Sequence, residues 1–143
     1  MIELTKELLT TEAEEVVKKN SKLSNKKATS TQIRKFYDDF LLLHTKSQGK
    51  TEEEFRKTIL PMIYFAKAKL AYAVGRDVLD SKFKEELEKK IDKIDSKKDF
   101  DNFILFYQAV IGYSKFILDS KQSNSFQRSS SFKSNSGYNK KKL

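Results

Sequence analysis

Between Phe100 and Phe116, apolar side chains return at steps of three and four on two sides of one helix. Phe100, Phe103, Ile104, Tyr107, Val110 and Ile111 make a wide face, and Phe106, Ala109, Tyr113 and Phe116 make a second. A helix that is apolar nearly all round must be packed centrally or shared with another subunit. In so small a chain the expectation is one core face and one partner face.

The rest of the chain has to build around that helix, and it is also written in helical periods. Ala13, Val16 and Val17 mark a short helix over residues 12–19, with Thr11 and Glu14 as a capping box. NSKLSNKKATS at 20–30 reads as a linker, and Thr29, Ser30 or Thr31 can cap a helix over 31–46. Its core stripe is Ile33, Phe36, Tyr37, Phe40 and Leu43, widened by Leu41, with Leu42 on the far side. Its polar side offers Arg34 to Asp38 and Lys35 to Asp39 at i,i+4.

Thr51 and Glu54 form a second capping box, with Phe55 and Ile59 pointing inward. Pro61 predicts a kink or a fresh helix start, and Gly75 a stop after Val74. Leu79, Phe83, Leu87, Ile91 and Ile94 predict a helix over 78–94, and Ser96 with Asp99 opens the last helix over 98–118. With only four Gly and one Pro, the fold class is all-α, a compact bundle of about five helices.

Residues 1–119 are expected to form one helical domain, and residues 120–143 a disordered basic tail rich in Ser and Lys. Phe126, Phe132 and Tyr138, six apart among the tail's cations, fit a flexible nucleic-acid arm or a merely solubilising tail. Of the net charge of +9, six cations and no acid lie in the tail, which leaves +3 elsewhere. Overall charge is therefore weak ground for a nucleic-acid partner, and the argument rests on where cations cluster.

Several chemistries are excluded. There is no Cys for a disulfide, a thiolate metal site or a thiol nucleophile, and the single His44 rules out a two-His zinc site. Its place on the core side of its helix reads as a packed side chain. Asp38 with Asp39, and Asp99 with Asp101, lack a third ligand at useful spacing for a two-metal centre. No catalytic residue, metal, cofactor or small-molecule substrate is expected. No apolar run reaches the roughly 20 residues of a membrane helix, and MIELTKELLTTEAEE is no signal sequence. A cytoplasmic protein with no membrane partner is the expectation.

The segment KAKLAYAVGR at 67–76 carries the strongest functional signal. Ile63, Ala66, Leu70 and Val74 share one face of a helix, and Phe65, Lys69, Tyr72 and Arg76 share another. A plain solvated face has no need of rings between its cations. A face that meets a nucleic-acid strand uses cations for phosphates and rings for sugars and bases. Lys69 has no acid four residues away, and Arg76 has only Asp80, so both read as free to meet phosphate.

Three segments in order, TSTQIRKFYDDF at 29–40, KAKLAYAVGRD at 67–77 and DFDNFILFYQAVIGYSKF at 99–116, resemble the small subunit of type III-A CRISPR effector complexes, the Csm complex. The likeness covers roughly residues 28–118. Gly112 and Ser114 depart from the family's pattern in the last segment.

The resemblance implies a non-catalytic helical bundle, stacked in several copies with the other Csm subunits along guide RNA and target RNA. Carried over by position, it implies RNA contacts at Arg34, Lys35, Lys67, Lys69, Tyr72, Arg76 and Lys115. The alternative is a helical protein–protein adaptor with no nucleic-acid contact, for which Leu42 and the double-faced last helix would be the working surface. An autonomous DNA-binding reading lacks a helix-turn-helix with a basic recognition helix.

Overall fold

A computed structural model of the chain describes residues 1–119, and the expected tail lies outside the described residues. Five helices follow one another with no strand among the described residues. Helix α1 covers residues 6–18, α2 Lys26–Ser47, α3 residues 52–75 and α4 Ser81–Asp92. Helix α5 runs Lys97–Ser114 and ends in a wider turn, Lys115–Asp119.

Helix α5 is the axis of the core, packed between α1 and α2, while α3 lies on α4 and α2. Its rings make the α2 contact: Phe40 meets Phe103 edge-on at 5.0 Å, and Tyr37 stacks on Tyr107 at 6.0 Å. The Tyr107 hydroxyl, fully buried, donates to the Ile33 carbonyl at 2.8 Å. That bond supplies the partner a buried hydroxyl requires.

The second face of α5 is largely taken up within the chain itself. Phe106 is wholly buried, and Ala109 and Tyr113 pack against the core; Phe116 is exposed. Helix α1 takes up surface that the apolar pattern alone assigned to another protein, with Ala13, Val16 and Val17 all buried. The Lys90 ammonium lies over the Phe106 ring and pairs with Glu12, joining α4 to α1 at the same place.

Helix starts also move. Thr5, not Thr11, opens α1, accepting from the Leu8 N–H at 3.0 Å; Thr11 lies inside a wider turn, Leu8–Glu12. Asn25 caps α2 by accepting from the Ala28 N–H at 3.0 Å, so the helix begins about five residues before the first expected. Thr29 is then buried in its first turns and bonds back to the Asn25 carbonyl. The segment before it is no loose linker, because the buried Asn20 side chain accepts from the Asp80 N–H at 2.8 Å. Leu41 faces solvent with Leu42 rather than widening the core.

The Thr51–Glu54 box forms in both directions. Ser96 caps α5, but Asp99 departs from the reciprocal half of a box. Its carboxylate accepts from the Asp95 N–H at 3.0 Å and the Ile2 N–H at 2.9 Å. Burial pushes the Asp99 pKa up, but those two N–H groups, the Met1 amino group and the Ser96 hydroxyl outweigh it and hold the pKa below the ordinary value. Asn102 completes the clasp by donating to the Ile2 carbonyl at 2.9 Å.

Pro61 stands, as expected, where a fresh α-helical stretch starts within α3, in the first turn after Leu60. A wider turn, Phe55–Ile59, precedes it, closed by a bond from the Leu60 N–H to the Phe55 carbonyl five residues back. Such an inserted turn lets a helix absorb a residue that cannot donate. The end of α3 is a Schellman motif: Val78 N–H donates to the Ala73 carbonyl at 3.1 Å and Asp77 N–H to Val74 at 3.0 Å. Asp77, with φ of 61°, takes the left-handed position that Gly75 was expected to mark, and Gly75 stays helical.

Candidate nucleic-acid interface

Because Ile63, Ala66, Leu70 and Ala73 turn inward, the 3.6-residue repeat sets Phe65, Lys69, Tyr72 and Arg76 on the outer side of α3. On α2, the inward turn of Ile33, Phe36 and Phe40 leaves Lys35 and Asp39 outside. The two outer sides meet in an open groove of about 390 Å³. It is lined by Gln32, Lys35, Phe36 and Asp39 of α2 and by Phe65, Ala68, Lys69, Tyr72 and Arg76 at and beyond α3. Phe36, buried, gives it an apolar floor, and the small Ala68 side chain keeps it open.

Cations sit on the rings along the α3 wall. The Lys69 ammonium lies 5.5 Å from the centre of Phe65, and the Arg76 guanidinium 5.6 Å from that of Tyr72. Both rings are uncovered, Phe65 by 53% and Tyr72 by 70% of their surface. The wall therefore presents apolar faces and positive charge together.

The i,i+4 pairing expected within α2 does not occur. Asp39 turns across to Lys69 at 3.9 Å, and neither Arg34–Asp38 nor Lys35–Asp39 is an ion pair among the described residues. Lys69 is consequently not the unpaired cation its own helix suggested, because its acid comes from 30 positions away in sequence on another helix. Both partners remain about half exposed, so water screens the pair.

Four of the seven expected contact residues, Lys35, Lys69, Tyr72 and Arg76, are brought together here. Arg34 is exposed but does not line the groove, since the helical repeat turns it to the other side of α2 from Gln32, Lys35 and Asp39. Lys115 is exposed in the turn after α5, which packs on α2. Lys67 points to the opposite side of α3, where it pairs with Asp92 of α4 and lies over Tyr64. There the Tyr64 hydroxyl donates to the Ile94 carbonyl at 3.0 Å.

Phe65, Gln32 and Asp39 line the groove but were not among the expected contacts. Phe65 carried the signal, four residues before Lys69. Gln32 and Asp39 flank Lys35 by three and four.

The described residues contain no group of three or more His, Asp or Glu able to hold a metal. His44 is half-buried as expected and also bonds across 57 positions to Asp101 at 2.8 Å, with its ring edge-on to Phe100. No described helix is long and apolar enough to cross a membrane.

Fold and groove together define a small all-helical domain with a cation-and-ring groove between α2 and α3. Its family is specific: the model of the Csm2 Type III-A family matches residues 3–120, and the chain belongs to that family. It is therefore a small subunit of a type III-A CRISPR complex, a structural component alongside other Csm subunits. No curated protein and no solved structure matches the chain.

Proposed function

We propose that this subunit holds target RNA in the complex by gripping its phosphate backbone in the α2–α3 groove, and that it catalyses nothing itself. One observation carries the reading: Lys35, Lys69 and Arg76, from separate stretches of sequence, converge on one open groove with two bare aromatic rings. Cations on a shared groove neutralise successive phosphates, and that attraction is indifferent to sequence. Sequence would be set by pairing between guide RNA and target RNA. Copies of the chain set side by side would repeat the groove along the strand, in the cytoplasm where guide and target meet. Arg34 and Lys115, exposed but outside the groove, are left out of this grip, and Lys67 serves instead to join α3 to α4.

The test is the double variant Lys69→Ala, Arg76→Ala, examined in the full chain and in the assembled complex. Affinity for unrelated single-stranded RNAs should fall alike, and the log–log salt dependence should flatten by about 0.7 for each phosphate no longer neutralised. An unchanged affinity and slope would leave the protein–protein adaptor as the working reading.

A further inference from the structure

The groove is more than a row of cations. Phe65 and Tyr72 stand three and four residues from their neighbours on the α3 wall, each with an uncovered face and each with a cation over it. Exposed rings are poor companions for water, and phosphate contact alone has no use for them. Between them and the α2 wall lie the apolar floor of Phe36 and a neutral group able to bond a base edge, the Gln32 amide.

We propose that the groove takes an unstacked nucleobase of single-stranded RNA. The base would lie against Phe65 or Tyr72, and its flanking phosphates would be held by Lys35, Lys69 and Arg76. The proposal rests on the phosphate-gripping reading above and adds a ligand subsite to it. Paired bases in an A-form duplex hide their faces in the stack, so only an unpaired nucleotide can offer one to a ring. A cation beside the ring sets a positive charge next to the stacked base, where a flanking phosphate would lie. Stacking of this kind tolerates any base, consistent with a site that does not read sequence.

The experiment compares two probes against the full chain: an oligoadenylate of about twelve nucleotides, within the span a single-strand site covers, and the same strand with abasic riboses inside it. The two carry the same phosphates, so they differ only in base faces. The expected result is at least about fivefold weaker binding of the abasic strand with an unchanged salt slope. Phe65→Leu with Tyr72→Leu should erase that difference while leaving the slope intact, and retained helicity and melting temperature of the variant exclude misfolding.

Equal affinity of the wild-type chain for both strands would overturn the base subsite. If the salt slope is then still steep, the phosphate reading survives; if neither strand binds, both fall. A duplex bound as tightly as the single strand at the same salt would also overturn the subsite.

Discussion

The Asp39 carboxylate reaches from α2 to within 3.9 Å of the Lys69 ammonium on α3, inside the groove that collects the other cations. An anion already occupies the place a phosphate would take. On the proposed reading a bound strand would have to draw Lys69 away from Asp39, and the exposure of both partners would keep that exchange cheap.

Asp39→Asn should therefore tighten binding of single-stranded RNA by about twofold to fivefold, the range a screened exposed pair can contribute. Filter binding at two salt concentrations measures it. Weaker binding by this variant would mean that Asp39 assists the strand instead of competing with it.

Lys67→Ala should behave unlike the Lys69 and Arg76 changes. Its ammonium is engaged with Asp92 on the far side of α3, so RNA affinity should stay within about twofold. Thermal unfolding should register a loss of no more than about 1 kcal/mol. A drop in affinity matching that of Lys69→Ala would return Lys67 to the strand-binding surface.

These two cases mark where the sequence stops being legible. Apolar periodicity placed Phe83, Leu87, Ile91 and Phe103 in the core because one helix's own repeat decides which side turns inward. The outward side of α3 was legible for the same reason. The partner of a charge was not: Lys69 meets Asp39, Lys67 meets Asp92 and His44 meets Asp101, all across helices whose relative placement no local spacing encodes. Phe106 failed likewise, since α1 covers it and nothing near residue 106 announces α1. Asn25 was legible in principle as a preferred cap, but the Ser, Asn and Lys around it read as linker.

Asp99→Asn should lower stability by about 2 kcal/mol near neutral pH, because the carboxylate accepts from two backbone N–H groups in a nearly buried position. The folded carboxyl has a lower pKa than in the unfolded chain, so the unfolded chain binds the proton more readily. The contribution of Asp99 is fully present above the ordinary aspartate range and fades as pH falls below it toward the folded value. Chemical denaturation from neutral to acid pH should show wild type and variant converging. A gap that stays constant throughout would contradict the role given to this carboxylate.

Asp77→Gly should raise stability by about 0.5–1 kcal/mol, since glycine relieves the left-handed backbone at the end of α3 despite its greater freedom when unfolded. Asp77→Val should lower it by about 1 kcal/mol or more, as a β-branched side chain tolerates that conformation poorly. The two melting temperatures should lie on opposite sides of wild type.

The clasp on Ile2 has a consequence for how the chain is made. Its backbone N–H and carbonyl find their partners, Asp99 and Asn102, 97 and 100 positions further along. While the ribosome is still synthesising α4, those groups have nothing to hold, and Phe36 and Phe40 have no α5 rings to meet. Completion of the fold must wait for nearly the whole domain to emerge, so a stalled nascent chain would present bare aromatic surface to chaperones and proteases.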